Sequence, residues 1–491
     1  MINLLKELND CKNAEELENY LSIHIDNVYD KFLNNDFIVI NSFKSNIDKY
    51  LSQNLRTITS IDLSNSNNLA FLSILLDLSE RFEFTLQFQR IYKSLKSKNY
   101  NFGERLEASS LFLIGIRTID DYRKILDDFI LKLSIAYSIE EDSEYKVIHT
   151  LVNYYSQIVH NFSSNNFDKV CEIRNEIKEK SKLANFHFLQ NETIVTVLHL
   201  DVSDNVAAFH NIQNQLDLYL LKFRKVHVSN STQNLLEQNT AYSIELDSVA
   251  NNFNSIRQIS VNKHLQINDS DVFYSLQRGV SILSEEKQLF AYMHSFGKMH
   301  YQKLITAFDY LPKEFFKEST NIIDWGCGQA MATMVYLEYL QLKEIDQAIN
   351  QIKLIEPSEI AIKRGALHIK KFKKNVNTIT INKDLDSITN KDLFQNISIS
   401  NLHLFSNIID IDFFSLHQLL EKIETNYKGV NYIVCVSPYI TDTKTNRIDN
   451  FVSHFNKFET TNIKKIDDQK GEWKGNGDWT RVVRIFKTKI E

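Results

Sequence analysis

The stretch Asn321-Ile-Ile-Asp-Trp-Gly-Cys-Gly-Gln-Ala330 runs from strand-forming apolar residues straight into a glycine-rich turn. Asp324, Gly326 and Gly328 give D-x-G-x-G, and Met331 to Leu342 then reads as a helix. Glycine lets a backbone turn with positive φ and lets a ligand approach the main chain without a Cβ in the way. The helix that follows presents free N–H groups at the carboxyl edge of a sheet. Strand, glycine turn and helix together build a cofactor cradle. A P-loop is excluded, because no G-x-x-x-x-G-K-[ST] is present. A dinucleotide-binding G-x-G-x-x-G is poorly matched, since it needs glycine at Met331.

Working outward, strands and helices alternate on both sides of the turn. Ile352 to Glu356 reads as a second strand closed by Pro357, with Ser358 to Phe372 as its helix. Val376–Ile381, Ile397–Asn401 and Tyr432–Val436 read as further strands, with Phe413 to Thr425 helical. Two more strands, Lys457–Ile466 and Arg481–Lys487, flank a turn at Gly471–Asp478. Upstream, Ser284 is read as the N-cap of one helix that carries Leu289, Met293, Phe296, His300 and Leu304 on one face and ends before Pro312. The basic run Lys363-Arg364 and Lys370 to Lys374 reads as a solvated helix face, with contact to an acidic substrate as the alternative.

The D-x-G-x-G turn resembles motif I of the class I S-adenosylmethionine-dependent methyltransferases, with Ala330 where the family's third glycine stands. The resemblance covers residues 284–491 and implies a seven-stranded Rossmann-like sheet with a terminal antiparallel pair. It also implies S-adenosyl-L-methionine as cofactor, bound by Asp324, Trp325, Gly326, Cys327, Gly328 and Ala330. Glu356, 28 residues beyond Gly328, is expected to hold the ribose hydroxyls. Asp384, with Asp386 nearby, stands where the family places a group near the adenine amine. Asn401-Leu402-His403 looks like the family's motif IV, which places Asn401 and Leu402 at the cofactor. His403 is then either a general base or a packing residue in the turn. Tyr292, His300 and Tyr301 are candidates for an aromatic lid over the cofactor, or else core aromatics at helical spacing. Trp325 packs either on the adenosine or against the preceding helix. No N/D-P-P-Y/F follows the fourth strand, and no glutamate pair in a short hairpin, so two substrate classes with those signatures lose support.

Residues 1–278 hold two glycines, Gly103 and Gly115, and no proline, whereas the rest holds nine glycines and all three prolines. Few breakers and apolar residues three and four apart predict helix after helix. Leu69–Phe82, Ile119–Tyr137, Tyr145–Val159, Phe167–Lys182 and Val206–Phe223 are such segments, in a bundle or an irregular solenoid. The expected domains are an all-helical 1–225, a partly helical connection 226–283, and the methyltransferase-like 284–491. The connection is rich in Asn, Ser and Gln, with a helix expected around Asn239 to Ser260.

At 491 residues the chain exceeds a single core, and a net charge of -6 gives no global argument for nucleic acid. DNA in particular has no strong signal. The start of the chain has acidic residues throughout and no long apolar run, and no run of about 18 apolar residues occurs, so a cytoplasmic, non-membrane protein is expected. Cys11, Cys171, Cys327 and Cys435 form no CxxC pair, which argues for reduced thiols and against a zinc site. The expected function is methyl transfer to a protein, peptide or RNA recruited by the helical half. A cofactor-sensing or inactive binding protein is the alternative from another class, and a peptide or small-molecule biosynthetic enzyme is a further one. Self-association stays open.

Overall fold

Strands that are apolar on both faces must be covered on both sides, and this sheet is. The computed structural model describes residues 1–33, 37–223, 227–230, 234–269, 271–393, 400–469 and 479–491. The strands are β1 (Thr320–Trp325), β2 (Ile349–Ile355), β3 (Asn377–Ile381), β4 (Ser400–Ser406), β5 (Gly429–Ser437), β6 (Glu459–Asp468) and β7 (Arg481–Ile490). They form one sheet in the order β3-β2-β1-β4-β5-β7-β6. β1 to β5 run parallel, and β7 is antiparallel to both β5 and β6. Side chains alternate across the sheet. Ile322, Leu402 and Leu404 pack with Met334 and Val335 of the Met331–Leu342 helix, and Ile323, Trp325 and Phe405 with Leu419, Leu420 and Ile423 of the Leu416–Asn426 helix. β1 lies between β2 and β4, where the connections leave in opposite directions and open a crevice at the carboxyl edge.

Two compact units divide the chain: Met1–Lys225 with Ile440–Asn446, and Val226–Tyr439 with Arg447–Glu491. The expected connection therefore does not stand apart. Within it, Ala241–Ser248 and Phe253–Ile267 are two helices rather than one. They belong to the second unit because their polar groups end on its elements. The backbone N–H of Phe253 donates to Glu338 (2.8 Å), that of Leu235 to Thr380 Oγ1 (2.7 Å), and that of Val228 to Asp384 Oδ2 (2.6 Å). Arg364 is not on a solvated face. Its guanidinium is buried 3.5 Å over the Tyr242 ring and pairs with Glu237 and Glu286, while Lys363 pairs outside with Glu359.

The helix expected from Ser284 onward is two helices, Glu286–Ser295 and Gly297–Phe308. Glu285 is its N-cap, because Gln288 Oε1 accepts the backbone N–H of both Ser284 (2.9 Å) and Glu285 (3.0 Å). The fourth strand is described from Ser400 and runs on to Ser406, past the expected end at Asn401; residues 397–399, like the expected turn at 471–478, lie outside the described residues.

The first unit is helical. The Ser66–Arg81 helix packs on Ala14–Phe32 and Thr85–Lys96, Glu104–Leu113 on Ile119–Ile135, and Glu144–Lys180 on Asn205–Leu220. Glu144–Lys180 joins two segments read separately in the sequence, with a break at Asn166 (φ -140°, ψ 39°). A buried ion cluster ties the helices: Arg105 donates to Glu80 (2.6 Å), Glu141 (2.6 Å) and Asp77, and Asp77 also pairs with Arg81 (3.2 Å). Among the described residues no helix is long and apolar enough to cross a membrane.

Candidate functional site

The glycine turn is set by hydrogen bonds that its own sequence supplies. Asp324, at the carboxyl end of β1, is buried and faces the next helix. Its Oδ2 accepts from Thr333 Oγ1 (2.7 Å) and the Thr333 backbone N–H (3.2 Å), which satisfies a free donor of the helix start. Burial, opposed by those two bonds, pushes its carboxyl up to about 7. Gly326 (φ 61°) and Gly328 (φ 52°) take the left-handed conformation. A Cβ at Gly326 would lie 2.2 Å from Ile408 Cδ1, whereas one at Gly328 would meet nothing within 4 Å. The backbone therefore closes on Ile408, just past β4, at Gly326 and opens into free space at Gly328. Ala330 also has positive φ (58°), so alanine holds a conformation that glycine adopts without strain.

Glu356 follows β2 and reaches back to this turn. Its Oε2 accepts the Gly328 N–H (2.9 Å) and its Oε1 the Ser358 N–H (2.9 Å). Burial pushes it up to about 7. Asp324, Gly326, Gly328, Ala330 and Glu356 thus meet at one edge of the sheet. Cys327 is in the turn, its N–H bonded to Ile355 O (2.9 Å) and its buried thiol pushed well up. Tyr292, over the same edge, lies in the field of both Glu356 and Asp410, with its ring 5.9 Å from that of His300.

Other expected residues are placed elsewhere. Trp325 ends β1 on the opposite face, stacked 5.7 Å from Phe405. Its Nε1–H donates to His403 Nδ1 (3.1 Å), which leaves the His403 Nε2–H to donate to Asn431 Oδ1 (3.1 Å). His403 is fully buried in mid-strand with both ring nitrogens taken, the placement of a packing residue, and burial pushes its imidazole down to about 4. Asn401 and Leu402 pair with Asn321 and Ile322 at the amino end of β1, the far edge from the glycine turn. The carboxylate of Asp384 accepts from Val228, Asp386 and Ser387; burial acts to raise it, but the Ser387 and Val228 bonds hold it below the usual range. Tyr301 stacks on Phe253 (4.8 Å), on the side of Glu338, and is no part of a lid.

The strand order with its antiparallel β7 decides the architecture. It is the seven-stranded Rossmann-like sheet with a terminal antiparallel pair that the resemblance to class I methyltransferases implies. No family model matches the sequence, and no curated protein does. Solved structures similar to this chain include a presumptive class I S-adenosylmethionine-dependent methyltransferase of Listeria monocytogenes, at 12% identity over 69% of this chain and 88% of that one, TM-score 0.31. The plantazolicin methyltransferase BpumL with S-adenosylhomocysteine matches at 15% identity over 49% of this chain and 98% of its own, TM-score 0.28. The CurJ carbon methyltransferase matches at 10% over 75% and 99%, TM-score 0.28. At these scores the likenesses carry no argument, which rests on the sheet itself.

In this fold the crevice continues past β4 and β5, and the sequence reading missed what stands there. Asn407, after β4, has positive φ (56°), and its Nδ2 donates to His300 Nδ1 (3.1 Å). Asp410 is buried and accepts from Ser437 Oγ (2.7 Å) at the end of β5. Lys303 lies one turn beyond His300 on the Gly297–Phe308 helix and is fully buried. A second missed group runs behind the turn, where Tyr242 Oη bonds His368 Nε2 (2.7 Å) and His368 Nδ1 bonds Gln329 O (3.0 Å). The turn itself suits an adenosyl cofactor: free space at Gly328, and beside it the half-buried Glu356 carboxylate, paired with no cation among the described residues.

Proposed function

We propose that the chain is an S-adenosylmethionine-dependent methyltransferase whose cofactor is held by the Asp324–Ala330 turn and Glu356. The observation that carries this reading is the meeting of Glu356 with the open Gly328 backbone at the carboxyl edge of β1 and β2. When bound, that cofactor supplies a methyl group activated on a sulfonium. Glu356 accepts hydrogen bonds from the ribose hydroxyls, Asp324 holds the turn against the following helix, and Tyr292 with His300 covers the edge. The acceptor we infer is a protein, peptide or RNA brought by the helical unit, whose separate core supports a role of its own.

Calorimetric titration with S-adenosylmethionine tests the first statement. Binding by the parent chain that is lost in Asp324→Ala supports it, and no binding by the parent contradicts it. Incubation of cell extract with methyl-labelled cofactor tests the second. Label in protein, peptide or RNA supports a recruited acceptor, and label confined to other small molecules contradicts it.

A further inference from the structure

Four lysines are buried among the described residues: Lys303, Lys353, Lys383 and Lys444. Three of them have conventional partners. Lys353 donates to Leu393 O (2.6 Å), Lys383 to Asp392 (2.9 Å) and Lys444 to Asp142 (2.6 Å). Lys303 Nζ, at 0% exposure, makes no hydrogen bond. A buried amine without a partner is costly, and lysine usually avoids the cost by extending its ammonium to water or to a carboxylate. Nearby, Asn407 Oδ1 is likewise buried and unbonded, although the Nδ2 of the same amide is used. Asn407 is held in the left-handed conformation at the end of β4, and such strain persists where the surroundings enforce it. His300 thus ties the Asn407 amide to the helix that carries Lys303, and the Asp410 carboxylate bears on the charge of that lysine.

We propose that Lys303, Asn407 and Asp410 form the acceptor subsite, that it takes an acceptor whose methylated atom carries a proton, an amine N–H or a hydroxyl O–H, and that Lys303 Nζ removes this proton. The inference rests on the cofactor reading above and specifies the chemistry of its other substrate. In the step proposed, the acceptor's lone pair forms the new bond to carbon and the carbon–sulfur pair stays on sulfur. The acceptor's proton passes to Lys303 Nζ, which becomes the ammonium. Asn407 Oδ1 and Asp410 accept from the acceptor and orient it. A thioether or a carboxylate acceptor carries no proton to remove and gives this subsite no task.

The charges around Lys303 agree with an amine that is neutral when the acceptor arrives. Burial pushes it down to about 7, the positive Arg481 at the start of β7 adds to this, and Asp410 opposes it. His300 on the same helix is itself pushed down to about 3, by burial and by Lys303. A protonated Lys303 next to a sulfonium would also face like-charge repulsion.

Carbon-13 at lysine Cε reports the Lys303 titration by NMR, with the resonance assigned by its loss in Lys303→Met, or in Lys303→Arg should the first variant not fold. The expected midpoint is about 7 in the free protein. It falls by at least half a unit (about threefold in protonation constant) with S-adenosylmethionine bound, and by clearly less with S-adenosylhomocysteine, whose sulfur is neutral. A midpoint near the ordinary lysine value of about 10.4 overturns the proposal. So does an equal response to the two ligands, which would place Lys303 away from the reacting edge. Absence of binding heat with both ligands removes the cofactor reading itself, and the proposal with it.

Discussion

Ala330 is the residue at which the turn departs from its glycine-rich pattern, and its φ of 58° shows the cost. A left-handed non-glycine residue loses about 1 kcal/mol or more. Ala330→Gly is therefore expected to stabilise the second unit by up to about 1 kcal/mol, read as a higher denaturation midpoint, since the added freedom of the unfolded chain offsets part of the gain. Lys303 offers a larger effect with a definite sign. Its amine ionises at about 7 in the fold and at about 10.5 when unfolded. As pH falls from 10.5 to 7 the unfolded chain takes up the proton and the folded chain does not, so the parent loses stability across that window and no further below it. Lys303→Met is expected to be more stable than the parent at pH 7, by on the order of 4 kcal/mol at about 1.4 kcal/mol per unit. The difference should vanish toward pH 10.5 in denaturation curves. Glu356 carries the opposite sign. Its carboxyl is raised from 4.5 to about 7, so its protonated form favours the fold below 4.5 and that contribution fades as pH rises through 7. Ribose hydroxyls donate to the ionised form, so cofactor affinity should rise over the same pH range, with proton release in calorimetry. No such rise would show that Glu356 does not contact the ligand.

At the scale of elements, the approach of the Glu359–Phe372 helix to the turn is tightest at Gly365. A Cβ there would lie 3.0 Å from both the Cβ and the backbone N of Ala330. Gly365→Ala is expected to destabilise by roughly 1–3 kcal/mol and to weaken cofactor binding, since the helix must move off the turn. In the first unit, Arg105→Leu leaves Asp77, Glu80 and Glu141 buried without their shared cation. A loss of roughly 3–5 kcal/mol is expected in denaturant unfolding. What the sequence made legible follows element by element. Met331–Leu342 was readable in full because its start is a glycine turn and its apolar run is continuous. The end of the fourth strand was not, because residues from Ser400 to Phe405 are buried on both faces, the polar Asn401 and His403 included, and no change of polarity marks where it stops. That displaced the expected cofactor contacts to Asn401 and Leu402, whereas the carboxyl edge lies at Ser406 and Asn407. Lys303 escaped notice and Arg364 was read as solvated because a charged residue in an amphipathic helix reads that way, and only packing shows otherwise.

For the whole molecule, the glycine count separated the halves of the chain in sequence, but the division of the structure falls elsewhere. Residues 226–283 join the sheet-bearing unit because Glu237, Tyr242 and Val228 find their partners there, on Arg364, His368 and Asp384. Such long-range pairs leave no periodic trace in sequence. The central claim is that the Glu356 edge binds the adenosyl cofactor, and calorimetric titration of the parent and Glu356→Gln with S-adenosylmethionine at pH 7.5 tests it most directly. Loss of charge-assisted hydrogen bonds worth about 1.5–3 kcal/mol predicts affinity weakened by roughly 10- to 100-fold in the variant, with the fold intact. Equal affinity in the two proteins, or no binding by the parent, would contradict the account.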